Sequence, residues 1–136
     1  MVFDLEDPER QAQEMKIVRA GSAQREGALT FSQQQVAQCR DFFEVLATTD
    51  RTQLAVMTLQ QGQTSGEFGT DHPDSDQLFY VLEGVGQLVL ESGDVEVHPG
   101  DTGVVEAGAK HQFIGKSEHV FRTLNVYGPV AYPDEA

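Results

Sequence analysis

Cysteine is almost missing from this chain. Cys39 is the one thiol among 136 residues, so no internal disulfide can form. It sits in a Gln-rich polar stretch with no histidine beside it, which marks a bystander rather than a nucleophile. Basic residues are also scarce. Nine Lys and Arg face 22 Asp and Glu, for a net charge of -13. Nucleic-acid phosphates demand a basic face, and anionic membrane surfaces do too, so both partners are excluded. No apolar run approaches the length of a membrane span. The opening MVFDLEDPERQAQE lacks the basic and then apolar pattern of a secretory signal. A soluble, cytoplasmic protein is the expectation. No phosphate-cradling loop, dinucleotide fingerprint or nucleophile with a paired base is seen, which disfavours hydrolase and nucleotide-dependent classes.

What remains is a chain of one-domain length, large enough to bury a real core. Residues 1–40 are polar and read as an N-terminal arm, with a short helix in Asp4–Met15, a strand over Lys16–Ala20 and a helical turn in Ser32–Cys39. From Asp41 the texture changes. Strand-forming runs cover Phe42–Thr49, Thr52–Leu59, Gln77–Leu82, Gln87–Glu91, Val95–Val97, Thr102–Val105, His111–Ile114 and His119–Tyr127. Turn signals such as Ser92-Gly93-Asp94 and Pro99-Gly100-Asp101 separate them. Short strands at such spacing predict an all-β sandwich or barrel over 41–128, followed by a tail at 129–136. The nearly continuous apolar run Gln77–Leu82 predicts a strand buried on both sides. Expected interior residues are Leu54, Val56, Phe79, Val81, Phe113, Phe121, Leu124 and Tyr127. Leu124 would face away from Phe121 in a regular strand, so a bend or two-sided burial is needed.

Chemistry concentrates between Gly62 and Gly84, GQTSGEFGTDHPDSDQLFYVLEG. A loop this long inside a small domain is usually functional or disordered. It carries Glu67, Asp71, His72 and Asp76 and runs into a strand that starts at Gln77. A second turn delivers His111, which the fold is expected to bring beside His72 and Gln77. His98 and His119 read as surface residues.

These residues carry a resemblance to the cupin superfamily over 62–128. His72, Gln77 and Gly84 fall on the second His, the Glu and the closing Gly of a motif G-x5-H-x-H-x(3,4)-E-x6-G. Thr70 stands at its first His. Gly100, Gly108 and His111 fit G-x5-P-x-G-x2-H-x3-N, with Glu106 for the Pro and Gly115 for the Asn. FYVLEG and HPGD are also typical.

The resemblance implies a cupin-type jelly-roll β-barrel with a metal held inside by three His and one Glu. Here one imidazole is lost and the acid has become an amide. His72, Gln77 and His111 would offer two nitrogens and an amide oxygen to a divalent transition metal (Fe, Mn, Ni or Zn), held weakly or not at all. Glu67, folded inward, would complete a two-His, one-carboxylate face. Asp71 and Asp76 are rivals, but as neighbours of His72 and Gln77 they should point away in an extended segment. Two functions compete: a small-molecule-binding barrel with or without metal, and a metal-dependent oxygenase or isomerase acting on a small polar molecule. The arm and exposed strand edges suggest a homodimer.

Overall fold

From residue 41 onward, Gly, Pro and Asp turns cut the chain into strands close to where the sequence places them. The computed structural model describes residues 17–19 and 23–132. The helix expected within Asp4–Met15 and residues 133–136 of the expected tail lie outside that range. The strands are β1 (Ile17–Arg19), β2 (Ala23–Glu26), β3 (Leu29–Ser32), β4 (Phe43–Thr48), β5 (Gln53–Leu59), β6 (Asp76–Glu83), β7 (Gly86–Leu90), β8 (Gly93–Val97), β9 (Thr102–Val105), β10 (His111–Gly115) and β11 (Phe121–Gly128). A 3-10 turn at Val36–Gln38 is the helical turn expected between Ser32 and Cys39. Among the described residues no helix is long and apolar enough to cross a membrane.

The protein is all-β, a jelly roll of two main sheets. A six-stranded sheet runs β1-β4-β5-β11-β6-β9, and a three-stranded sheet runs β10-β7-β8. The β2–β3 hairpin, which the sequence reading did not anticipate, forms a separate two-stranded sheet beside β4. Strand pairing within the main sheets is antiparallel except for β1, which lies parallel to β4. Alternate side chains from the two sheets form one core, which includes Phe43, Met57, Leu59, Phe79, Val81, Leu88, Phe113, Phe121 and Tyr127. Gly84 makes the sharp exit from β6 at a positive φ of 76°. A Cβ there would lie 2.1 Å from the Val120 carbonyl oxygen, so only glycine fits.

Two expectations about burial need correction. β6 is not buried on both sides, because Leu78 and Tyr80 are 41% and 43% exposed while Gln77, Phe79 and Val81 face inward. Apolar residues on its outer face made an alternating strand look continuous. Leu54, Val56 and Leu124 do not line the interior either. They form a second cluster with Cys39, Leu46, Leu82 and Val36 on the outer face of the six-stranded sheet. Two-sided burial is therefore the answer for Leu124, and it is confined to where residues 36–39 cover the sheet.

Arg122 fastens that cover. Its buried guanidinium donates to the carbonyls of Val36 and Cys39, and to Glu83 at 3.1 Å. Glu83 also receives Arg40 at 3.1 Å and the His119 ring. His119 is exposed at the surface, as is His98, as expected from the sequence. Cys39 is buried, and burial followed by the nearby Glu44 carboxylate pushes its thiol up to about 11. Such a thiol is not ionised at neutral pH, which agrees with an inert role.

Burial alone would raise the Glu83 pKa, but hydrogen bonds from His119 and Arg122 and the charge of Arg40 outweigh it and hold the carboxyl below its ordinary 4.5. A depressed folded-state pKa adds stability that is complete above that ordinary value and is lost as pH falls through the lower folded-state value. Glu83→Gln should therefore cost ~1–3 kcal/mol at pH 7, by loss of charge-assisted hydrogen bonds to a buried arginine. Urea unfolding should show the gap between the two proteins closing below the ordinary carboxylate value. A gap that persists unchanged at pH 3 would show that the Glu83 charge does not fasten the cover.

Candidate functional site

The loop from Gln60 to Ser75 is long, yet its backbone is sewn to β10. Gly62 N–H donates to the Gly115 carbonyl, Gly115 N–H to that of Gln63, and Ser65 N–H to that of Phe113. Gly69 and His111 exchange both backbone hydrogen bonds, at 3.3 and 2.9 Å. Side chains reinforce the seam, with Phe113 N–H donating to Ser65 Oγ and Gln112 to the Gly66 carbonyl. Gly115 must be bare here, because a Cβ would lie 2.4 Å from the Gln60 carbonyl oxygen. The seam carries His72 to the mouth of the barrel beside His111.

His72, Gln77 and His111 are buried together. Nε2 of each imidazole lies 3.1 Å from Gln77 Oε1, and the ring centroids are 4.9 Å apart. Neighbouring backbone decides where the protons sit. Nδ1 of His72 faces the Ser75 carbonyl at 3.2 Å, and Nδ1 of His111 faces the Ala109 carbonyl at 2.9 Å. A carbonyl only accepts, so each Nδ1 carries hydrogen, and each ring in its neutral form turns a lone pair at Nε2 toward the centre. Burial, assisted by the adjacent His72, lowers the His111 pKa against opposing influences from Ala109 and Asp71, favouring the neutral ring.

Asn125 sets the third group. Its Nδ2 donates to Thr123 Oγ1 at 3.0 Å, and to the carbonyls of Thr123 and Ala55 at 3.3 and 3.5 Å. Its Oδ1 must then face Gln77, whose Nε2 donates to it at 2.9 Å. The Gln77 oxygen is thereby aimed at the two rings. Three acceptor atoms converge with no hydrogen between them, an arrangement that calls for a cation or a donor.

The sequence expectation that His72, Gln77 and His111 meet is therefore met in space. Asp76 is not part of the group. It points away and caps Ala107 N–H at 2.8 Å. Glu67 is exposed at the pocket mouth, and among the described residues no hydrogen bond or ion pair links it to the histidines. Asp71, expected to point away, also lines the pocket, because Asp71–Ser75 is bent rather than extended. Thr70, at the place of the missing imidazole, keeps a buried hydroxyl without a hydrogen-bond partner and is not among the pocket residues.

The cavity encloses about 160 Å³, a size comparable with cavities that admit a benzene-sized molecule. Its walls include Ile17, Phe42, Phe43, Met57, Phe113, Tyr127 and Tyr132. Tyr127 packs edge-on against His72 with centroids 5.1 Å apart, and Tyr132 stands at 87° to Tyr127. Burial raises both phenols, Tyr132 to about 12, so both stay protonated. Tyr132 is drawn in from the tail by Gln53, which donates to its carbonyl at 2.8 Å and accepts its N–H at 2.9 Å. Sequence reading missed Tyr132 and Asn125 as site residues. Their signal lay in the pairing partner of Gln53 and in the inward register of β11.

A divalent metal places nitrogen and oxygen ligands about 2.0–2.2 Å away, so ligands at right angles stand about 3 Å apart. The spacings of 3.1 Å and the inward lone pairs fit that requirement. The set carries no formal charge. Among the described residues no group of three or more His, Cys, Asp or Glu gathers to form a charged cage.

Nitrogen-15 NMR of the imidazoles tests the lone-pair assignment directly. His72 and His111 should both show the Nδ1–H tautomer in metal-free protein at pH 7.5 or above. An Nε2–H signal from both rings would mean that they donate to Gln77, and the acceptor cluster would not exist.

Comparison with known proteins agrees with this architecture. The family model described as a cupin domain matches residues 55–127. No curated protein matches the chain. A protein from Bacillus halodurans is 25% identical, with 74% of this chain and 80% of that one covered at a TM-score of 0.66. A sugar phosphate isomerase from a cupin superfamily in Silicibacter pomeroyi is 26% identical, with 59% and 52% covered at a TM-score of 0.53. A predicted oxalate decarboxylase from Thermotoga maritima, at 20% identity, 65% and 79% coverage and a TM-score of 0.58, is alike in fold alone. The match over more than half of its length, on a jelly roll of this topology, makes the chain a member of the cupin domain family.

Proposed function

We propose that the barrel binds a small organic molecule beside a divalent transition metal held by His72 Nε2, His111 Nε2 and Gln77 Oε1. The observation that carries this reading is the convergence of three acceptor atoms whose hydrogens are committed elsewhere. A bound metal would supply Lewis acidity. The chain's own residues supply the rest. Ser75 and Ala109 hold the ring protons, Asn125 aims the amide, and the aromatic walls exclude water from the ligand.

A neutral amide offsets less of an ion's desolvation than a carboxylate does, so the metal should be exchangeable. A second reading is a metal-dependent enzyme of oxygenase or isomerase type. It is favoured by the small number of protein ligands, which leaves coordination positions free on the cavity side. The names of the isomerase and decarboxylase neighbours are compatible with it but do not choose a reaction. Composition supports a cytoplasmic setting. A homodimer is supported by the outer edge of β9, unpaired among the described residues, and by the exposed Leu78, Tyr80 and Val104 on β6 and β9. Sedimentation should then give about twice the 14.9 kDa of the chain, and a monomer at micromolar concentration would remove that reading.

Metal analysis of untagged protein tests the centre. Iron, manganese, nickel or zinc should be present or bind on titration, and binding should fall at least tenfold in His72→Ala and in His111→Ala. Metal-free protein that takes up no ion would overturn the proposal. Gln77→Glu should tighten metal binding by tenfold or more through its added charge. It should also lower the stability of the metal-free protein, because the new carboxylate faces Asn125 Oδ1 without a hydrogen to donate. Unchanged affinity would remove Gln77 from the ligand set.

A further inference from the structure

The cavity has a charge pattern that bears on which small molecule it takes. Its mouth carries two carboxylates, Glu67 and Asp71, both exposed. Among the described residues that line it there is no Lys or Arg. Its floor is the set of acceptor atoms from His72, Gln77 and His111. Phe42, Phe43 and Tyr132 also line it, and an ammonium group is attracted by aromatic faces. The two carboxylates and the aromatic faces thus favour positive charge, and the bare acceptor atoms of the floor favour hydrogen-bond donors while no metal sits on them. A net charge of -13 favours approach by cations in the same sense.

From this geometry we infer that the ligand of the cavity is a small organic ammonium compound, with Asp71 and Glu67 at the mouth as its specificity-determining residues. The inference rests on the reading of the cavity as a small-molecule site. It sets this chain apart from the substrates in the names of its structural neighbours, because a sugar phosphate and oxalate are both anions. Recognition of a phosphate draws on Arg, Lys or a helix N-terminus. No Arg or Lys lines the cavity, and no α-helix is present, among the described residues.

Three probes share one ring and differ in charge: benzylamine, benzyl alcohol and benzoate. NMR titration of the full chain at low ionic strength should rank them in that order, with benzylamine roughly tenfold tighter than benzoate, the effect of a unit charge about 4–6 Å away at partial exposure. Salt should compress the series. Asp71→Asn should reduce the benzylamine-to-benzoate ratio by at least threefold while leaving benzyl alcohol unchanged, which also controls for folding. The titration is run on protein stripped of metal by a chelator, because a dication on the neutral floor would itself draw the carboxylate of benzoate. Benzoate binding as well as or better than benzylamine in the metal-free protein would overturn the inference and leave the small-molecule reading standing. A ratio unmoved by Asp71→Asn and by Glu67→Gln would overturn it too. Failure of all three probes to bind would overturn the inference and the small-molecule reading together.

Discussion

Two backbone carbonyls, those of Ser75 and Ala109, constrain everything the cavity can do. Each takes the Nδ1 hydrogen of an imidazole and so fixes which nitrogen is left bare. Carbonyl oxygens of Ala55 and Thr123 act in the same way, one step removed, through the Asn125 amide that orients Gln77. Backbone position, and not side-chain identity alone, therefore sets the polarity of the centre. Buried acceptors that face one another are unfavourable in isolation. The surrounding structure has to hold them, and β6 and β11 do so by presenting Gln77 and Asn125 from adjacent hydrogen-bonded strands.

The same logic explains why a long loop serves as part of a rigid site. Alternating hydrogen bonds along β10 turn the segment from Gln60 to Gly69 into an irregular edge of the three-stranded sheet. His111 is tied by its own backbone to Gly69, three residues before His72. Positions of the two imidazoles are thus coupled through main chain, with little dependence on surface side chains. The register of one edge places both the ligand-facing atoms and the carboxylate at Asp71.

Much of this was legible in the sequence. Turn residues delimited the strands, and the spacing of His72, Gln77 and Gly84, with that of Gly108 and His111, pointed to the residues that converge. Side-chain orientation was harder to read. Leu78 and Tyr80 look like core by type, yet they are exposed, because among the described residues the covering segment packs over Leu46, Leu54, Val56, Leu82 and Leu124 instead. Asp71 looked outward under a two-residue alternation that its bent segment does not obey. Asn125 and Tyr132 depend on pairings across 48 and 79 residues, Gln77 with Asn125 and Gln53 with Tyr132, which no local pattern encodes.

Departures from the motif that this chain resembles become a coherent change in electrostatics once the geometry is known. The acid expected at the centre is the amide of Gln77, and the Asn expected on β10 is Gly115, where the Gln60 carbonyl leaves no room for a side chain. Negative charge is instead carried at the mouth, by Glu67 and Asp71. A carboxylate in direct contact with a metal neutralises part of its charge and blunts its pull on a bound oxygen or nitrogen. Carboxylates at the rim do neither, since solvent screens them from the ion while they still act on whatever enters. A neutral inner set with an acidic entrance thus separates two tasks in the proposed site. The floor would be left free to polarise, and the mouth would select by charge.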